Sequence, residues 1–261
     1  MSHGTSRVID RLARSGSINA ISCMAASPYW HDDAKLLEGI EEISCRTSGP
    51  IQVGLHLVLA TERPLGQLSC LDEHGKLPGP DRLLAMVLAG RIKAKEFADE
   101  IERQFIAFKS QRGRAPDFVD AHQHVHVYPV LRRLVIAATK RHAPDAWIRV
   151  PSDQCSAMLA RPFRGKAAAS AVQCLGMRSE ISKHGLRANS SFAGHYDFGA
   201  QYEKYLPTFF GNAGDFHVIM CHPGTDEIAD DAIAKARIME AGVLAQMTLH
   251  ERAACYGAAR L

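Results

Sequence analysis

The chain has 261 residues, of which 46% are hydrophobic and 23% are charged, and these values exclude a disordered chain or a disulfide-stapled miniprotein. The formal net charge is only +3, so we expect no nucleic-acid partner. No apolar stretch approaches the ~20 residues of a membrane-spanning helix, and the N-terminus lacks the apolar centre of a signal peptide. None of the seven cysteines stands in a CxxC pair, which fits a reducing compartment. We therefore expect a cytoplasmic protein without a membrane span.

Along the chain, apolar runs of strand length alternate with stretches of helical periodicity. The first predicted element is a helix around residues 8–12, and Gly16 follows it as a stop. Later helices are predicted over 96–109, 131–139 and 232–245. In the first of these, Phe97, Ile101, Phe105 and Phe108 are predicted to share one apolar stripe, at spacings of four, four and three. The predicted strands are apolar almost throughout, which is typical of burial on both faces of a parallel sheet; they cover 18–25, 51–59, 118–121, 147–150 and 216–221. This alternation predicts an α/β fold with parallel strands and right-handed crossovers.

Two stretches do not follow the alternation. Residues 61–80 are rich in Gly, Pro and Asp and are predicted to form a long loop, and residues 152–197 hold many small and polar side chains. We interpret both as insertions over one end of a barrel or sheet, where α/β folds carry functional residues. No linker, repeat or low-complexity tract divides the chain, so a single domain over 1–261 is predicted.

The densest chemical signal is the segment DAHQHVHVYP at 120–129. His122, His124 and His126 follow a predicted strand directly, and active sites of parallel α/β folds gather at that end of the strands. Imidazoles two residues apart in extended chain point the same way, so two of them could face one metal ion. Asp120 could orient a metal-bound imidazole from behind. The crowding favours metal or acid–base chemistry over a polar loop with chance histidines.

Two other predicted strands carry a histidine at or near their carboxyl ends. His56 lies within GLHLVL, where an unpaired buried imidazole would cost about 1–3 kcal/mol; it is either a core histidine with a partner or a ligand of the same metal. His222 follows a strand in MCHPG. If the strands are parallel, these histidines and the 122–126 cluster converge on one rim. Two of them could then hold an ion while a third protonates a leaving group.

Arg149, at the end of the predicted strand 147–150, belongs to the same rim. Its planar guanidinium could orient a substrate oxygen or a carboxylate, and the alternative is a strand-end arginine in solvent. The sequence contains no GxGxxG, GxxxxGK[ST] or GxSxG motif, so a nucleotide site or a serine-hydrolase nucleophile has no support. A metal-dependent phosphoesterase could use the same histidines, although it would more often need carboxylates that bridge two ions.

Together these motifs resemble the YdjC-like carbohydrate deacetylases, the family of the chito-oligosaccharide and hopanoid-pathway deacetylases. The shared motifs occur in family order and cover essentially the whole chain: GLHLVL with ERPL close behind it, DAHQHVHVYP, IRVP at 148–151, SSFAG at 190–194, and MCHPG. The resemblance implies a deformed TIM-like (β/α) barrel of the polysaccharide-deacetylase type. It also implies removal of acetyl groups from N-acetylated amino sugars, with a short oligosaccharide or a glycoside as substrate.

The resemblance also implies a cofactor and site residues. The cofactor is a divalent metal, with Mg²⁺ expected and Zn²⁺ as the alternative. The family's histidine ligands correspond to His56 and His122, and its protonating or transition-state-stabilising histidine corresponds to His222. Because family members are often dimers, a homodimer is expected. Further family positions near the metal or the substrate correspond to His124, His126, Phe192 and Gly194.

The start of the chain departs from the family pattern. Family members open with a strand that ends in an Asp-Asp-Phe-Gly-like motif, and Met1 stands where that motif would just have ended. The resemblance therefore implies that the first strand and two aspartates, a metal ligand and the general base, are missing from this sequence. We expect that the start codon has been placed too late. The alternative is a catalytically dead pseudoenzyme that binds sugar or a partner protein.

Overall fold

The structure is a computed structural model that describes residues 2–45, 49–199, 201–211, 213 and 215–246. Its strands are β1 (Ala20–Cys23), β2 (Ser44–Cys45), β3 (Gly49–Pro50), β4 (Gln52–Leu57), β5 (Phe118–Ala121), β6 (Trp147–Ile148), β7 (Arg187–Ala188), β8 (Ser191–Ala193) and β9 (His217–Ile219). Its helices are α1 (His3–Arg14), α2 (Trp30–Asp33), α3 (Pro80–Leu88), α4 (Ala94–Arg112), α5 (Pro129–His142), α6 (Cys155–Ala160), α7 (Arg164–Gln173), α8 (Met177–Lys183), α9 (Tyr202–Phe210) and α10 (Ala234–Ala245), with 3-10 turns over Ala34–Leu37, Ile40–Glu42 and His122–Val127.

A parallel sheet forms the centre of the molecule. Its five strands lie in the order β1-β4-β5-β6-β7, and each neighbouring pair is parallel, which confirms the predicted α/β fold. Strands β8 and β9 pair in parallel as a separate two-stranded sheet. Within the described ranges these strands form no closed sheet, so the deformed TIM-like barrel implied by the resemblance is not confirmed.

The two parallel sheets are linked by the buried side chain of Asn189. Its amide oxygen accepts a hydrogen bond from Val150 N at 2.7 Å, and its amide nitrogen donates to Val150 O and Ser191 O at 3.0 and 2.8 Å. Asn189 lies between β7 and β8, so one side chain supplies the bonds that a strand ladder would otherwise make. Backbone groups on both sides of the passage between the sheets thus find partners in this one side chain.

The helices pack their apolar faces around the main sheet. The predicted stripe of Phe97, Ile101, Phe105 and Phe108 on α4 is buried, and α4 ends at Gly113, whose φ of 66° suits a glycine. A second apolar cluster joins α1, α9 and α10 beside β8 and β9. Within the described part of the chain, no helix combines the length and the apolar character that crossing a bilayer requires.

The interpretation of 152–197 as an insertion is wrong, because this stretch contains α6, α7 and α8, the fifth strand of the main sheet and β8. Its elements are hard to predict from the sequence. Helix α7 buries no residue, so its apolar side chains do not repeat at the helical spacing that marks a buried face. Two-residue strands such as β7 are likewise too short to show a pattern. The loop predicted over 61–80 is confirmed as irregular backbone, except that Pro80 already begins α3.

Candidate active site

The imidazole of His56 is oriented by a buried carboxylate on the neighbouring strand. His56 on β4 and Asp120 on β5 are direct partners in the parallel register. Asp120 Oδ1 lies 2.6 Å from His56 Nδ1 and also accepts a hydrogen bond of 2.6 Å from Ser22 Oγ. The carboxylate is 1% exposed, whereas the His56 side chain is 18% exposed. Because Nδ1–H faces Asp120, the Nε2 atom is left as the donor atom for a ligand.

Asp120 forms a second buried contact, with Arg149. Arg149 Nη1 lies 2.7 Å from Asp120 Oδ2, and Nη2 donates to Ala121 O at 3.1 Å. Burial raises the pKa of the Asp120 carboxyl, but the positive charges of Arg149 and His56 outweigh it and hold that pKa well below its usual range. The alternative of Arg149 in solvent is wrong, because its side chain is 8% exposed. Its guanidinium neutralises Asp120 and packs 5.9 Å above the ring of Phe192.

The segment after β5 does not continue as extended chain. Gln123 and His124 adopt left-handed backbone conformations, with φ of 56° at both residues. This conformation is uncommon for residues with a Cβ and marks a sharp turn. The expectation that side chains two residues apart point the same way is therefore wrong here, because alternation requires a strand.

The turn sends the three histidines in different directions. The ring of His122 lies edge-on to that of His56, with 5.9 Å between the ring centroids. His124 Nδ1 lies 3.0 Å from Arg149 Nη2, and its ring contacts Phe192. His126 is fully buried, and its Nε2 donates to Arg149 O at 2.7 Å. Of the cluster, the structure thus pairs His122 with His56, while His124 and His126 surround Arg149.

Burial keeps these imidazoles neutral. Desolvation and the neighbouring charge of His56 lower the pKa of His122 to about 3. Desolvation followed by the charge of Arg149 lowers the pKa of His126 to about 4, and the pKa of His124 is lowered well below its usual value for the same two reasons. Neutral imidazole is the form that binds metal ions or accepts a proton.

His222 lies just past β9, next to the buried carboxylate of Glu240 on α10. Glu240 accepts hydrogen bonds from the backbone N–H of His222 and from the hydroxyl of Tyr196. Desolvation, and after it the charge of Arg237, lowers the pKa of His222 to about 3. The charges of His56 and His122 also contribute to that shift. The histidines predicted at three separate strand ends are thus near enough for the charges of His56 and His122 to act on His222.

Phe192 and Gly194 form one wall beside these histidines. The ring of Phe192 is 3% exposed and contacts His124 and His195 edge-on, at 5.7 and 5.1 Å between centroids. Gly194 has a φ of 111°, and a Cβ atom there would lie 2.4 Å from Met220 O. Only glycine allows this close approach of the two backbones. Phe192, Gly194 and His195 also line a cavity that continues toward Arg161.

The sequence did not predict three residues at the site, namely Glu240, Ser22 and His195, whose ring contacts His124 and Phe192. Glu240 is fully buried on the face of α10 that also buries Ala236 and Leu244. A carboxylate at i+4 spacing within an apolar stripe is a signal that could have identified it. Ser22 lies within the apolar strand β1 and contacts Asp120, but a lone serine in a strand is too common to single out.

The residues present meet the requirements of a metal site in part. His56 and His122 offer two imidazoles, and that of His56 is oriented by a carboxylate, as metal-bound histidines usually are. Across the described residues, no group of three or more His, Cys, Asp and Glu side chains stands in a metal-binding arrangement. A closed site with four protein ligands, as in structural zinc centres, is thus not formed by these residues.

Comparisons with known proteins find two kinds of relative named as carbohydrate or chitooligosaccharide deacetylases. A chitooligosaccharide deacetylase of Serratia marcescens is 39% identical over 88 residues, which are 33% of this chain and 34% of the relative. A human carbohydrate deacetylase is 31% identical over 166 residues, 60% of this chain and 50% of the relative. The matches thus span between a third and about half of these relatives' length.

The fold has a solved counterpart, and a family model covers the chain. An Enterococcus faecalis V583 protein described as a cellobiose-phosphate cleavage protein superposes with a TM-score of 0.70 over 99% of this chain and 91% of its own, at 17% identity. This likeness concerns the fold alone. The model of the YdjC-like proteins matches residues 1–255. The chain therefore belongs to the YdjC-like family.

Proposed function

We propose that this protein is a metal-dependent hydrolase that removes acetyl groups from the N-acetylated amino sugars of a short oligosaccharide or glycoside. The observation that carries the proposal is the contact between His56 and His122 past the carboxyl ends of neighbouring parallel strands, where α/β enzymes place their chemistry. His222 lies past the carboxyl end of another parallel strand, β9. The deacetylase names of the Serratia marcescens and human relatives support the reaction and the substrate class.

A divalent ion would be held by His56 and His122, with water and substrate oxygens completing its coordination. Bound there, it would supply Lewis-acid polarisation of the amide carbonyl and a water of lowered pKa. Imidazole donors suit Zn²⁺, whereas Mg²⁺ prefers oxygen donors, so both ions belong in the test. Two protein ligands predict a weakly held ion, which must be supplied during the assay.

The remaining residues orient groups and move protons. Asp120 holds His56 by its Nδ1–H, and Arg149 keeps that carboxylate ionised. His222 enters the reaction neutral because its pKa is low. It must therefore accept a proton from the attacking water before it can pass that proton to the departing amine. His124, His126 and Phe192 hold Arg149 in place, and Gly194 lets the wall of the cleft pass close to Met220.

We also propose that the two parallel sheets are parts of the deformed barrel of this family. The link through Asn189 places β8 and β9 next to the main sheet. All of these strands run in parallel within their sheets, as barrel strands do.

The proposal is tested by acetate release from N,N′-diacetylchitobiose with added Mg²⁺ or Zn²⁺, together with the metal content of the protein. We expect acetate from the wild type, and neither acetate nor bound metal from His122→Ala. His142→Ala is the matched control, because His142 pairs with Glu102 on α4, away from the site, and should bind metal as the wild type does. Equal metal content in the two variants would refute the ligand assignment.

A second candidate function is sugar binding without turnover. The observation that favours it is the two-ligand donor set, because the described residues add no carboxylate to His56 and His122. Calorimetry with the same disaccharide separates the two functions. Saturable binding without acetate, with either metal present, would establish the binding protein and exclude the deacetylase.

A further inference from the structure

The carboxylate of Glu240 is fully buried and is shared between three parts of the chain. It lies on α10, accepts from the backbone N–H of His222 past β9, and accepts from the hydroxyl of Tyr196 past β8. Burying a carboxylate is costly unless it is well paired. Glu240 is 0% exposed, and the described neighbours form no salt bridge with it through lysine or arginine. A merely structural residue at this position would be served better by an apolar side chain, as at Ala236 and Leu244 on the same face.

The imidazole of His222 has an unused nitrogen on the side of this carboxylate. His222 Nδ1 is buried and has no hydrogen-bond partner among the described residues. Glu240 Oε1 lies 3.9 Å from it, which is longer than a formed hydrogen bond. Hydrogen bonds of this kind are often long before substrate binds and tighten in the complex. Arg237 donates to the carbonyl of His222 at 3.3 Å, and a guanidinium cannot accept from Nδ1–H.

From these contacts we infer that Glu240 is a positioning residue that holds the proton of His222 on Nδ1 and turns Nε2 toward the cleft. The inference rests on the proposed role of His222 in deacetylation. A histidine relays a proton efficiently only in the tautomer whose free nitrogen faces the reacting atoms. A buried acceptor behind Nδ1 fixes that tautomer, and the hydrogen bond that the His222 backbone N–H donates to Glu240 Oε2 holds the residue that carries the ring. The Tyr196 hydroxyl donates to Oε1, the same carboxylate oxygen that faces Nδ1, and helps to hold it in place.

The tautomer can be measured directly by long-range ¹H–¹⁵N NMR of the histidine rings. The signals of His222 are identified by their loss in His222→Gln. We expect wild-type His222 at neutral pH to be a neutral ring that is protonated on Nδ1. In Glu240→Gln, whose amide offers one acceptor instead of two, the ring should shift toward a mixture of tautomers. Glu240→Asp retains a carboxylate and should restore part of the Nδ1–H population.

Glu102→Gln is the matched control. Glu102 contacts His142 Nε2 at 2.8 Å on the far helices α4 and α5, so this variant should change the signals of His142 and leave those of His222 unchanged. A wild-type His222 protonated on Nε2 would overturn the inference, even if Glu240→Gln failed to fold. An unchanged His222 tautomer in folded Glu240→Gln would overturn it as well.

Kinetics provide a second, separate readout. If the wild type releases acetate, kcat of Glu240→Gln should fall about tenfold or more while KM changes little, since an acid–base group supplies roughly 10²–10⁴-fold of rate. Glu240→Asp should recover part of that loss, and an unchanged kcat in Glu240→Gln would overturn the inference. A wild type without activity would refute the deacetylase, whereas the NMR experiment would still decide whether Glu240 positions His222.

Discussion

Asp120 is the residue on which the contacts of the site converge. Its two oxygens contact Ser22, His56 and Arg149, and its side chain is 1% exposed. Taking a carboxylate out of water is costly, and the adjacent guanidinium offsets that cost only while both partners are present. One side chain therefore both stabilises the protein and orients a proposed metal ligand.

Replacing Asp120 by Asn should be strongly destabilising. The change leaves Arg149 as an uncompensated buried cation, and breaking a buried pair in this way costs about 3–5 kcal/mol of unfolding free energy. Urea denaturation measures the loss. Asp99→Asn is the control, because Asp99 forms an exposed pair with Lys95, and its stability should match the wild type. Equal denaturation midpoints for the two variants would contradict the buried-pair argument.

At the scale of secondary-structure elements, helix α4 holds the loop that follows β4. The buried carboxylate of Glu100 accepts from the backbone N–H groups of Leu65 and Gly66 at 2.8 and 2.9 Å. One turn later, Gln104 bonds both backbone groups of Val58, at 2.8 Å each. The loop has no regular structure of its own, so two side chains of the helix supply the partners that its backbone needs.

Glu100→Gln should loosen this loop. The amide can accept from one of the two backbone N–H groups but presents a donor to the other, and an unsatisfied buried donor costs about 1–3 kcal/mol. Hydrogen exchange at Leu65 and Gly66 should accelerate, as measured by NMR. Glu102→Gln makes the same change on the same helix outside this contact. Unchanged exchange at both amides in Glu100→Gln would show that the helix does not hold the loop.

At the scale of the whole molecule, the buried histidines make stability depend on pH. In the folded protein the pKa of His126 is lowered to about 4 by burial and by Arg149, and the pKa of His195 is lowered to about 4 by burial and by Lys166. Above the ordinary histidine pKa of about 6.5, these groups are neutral in both the folded and the unfolded state. Below it the unfolded chain binds protons that the folded protein excludes, so stability is lost as the pH falls toward 4.

The free energy of unfolding should therefore decrease between pH 6.5 and pH 4, by roughly 1 kcal/mol per pH unit for each such histidine. His126→Gln tests one contribution, since the amide nitrogen of glutamine can still donate to Arg149 O. In this variant the free energy of unfolding should fall less steeply with pH, by the amount that corresponds to at most one bound proton. Urea denaturation at several pH values between about 6.5 and 4 measures this slope. A slope identical to that of the wild type would mean that His126 does not stay neutral in the fold.

Outside residues 152–197, the sequence by itself determined the alternation of the main strands and helices, and it determined the chain positions of the candidate histidines. Apolar runs predicted the parallel strands, because strands buried on both faces need apolar residues throughout. The predicted α4 stripe was confirmed by the burial of all four of its side chains. His56, His122 and His222 were each found from a histidine beside a buried strand, and that signal is local in the sequence.

The tertiary structure alone decided which of these residues contact one another. The turn at Gln123 and His124 could not be predicted, because a left-handed residue with a Cβ is stabilised by its surroundings and has no sequence period. Glu240 meets His222 across 18 residues and Ser22 meets Asp120 across 98. Such pairs depend on strand register and helix docking, which bring distant residues together. Local patterning specifies elements, whereas the partners of a buried polar group are fixed only when those elements pack.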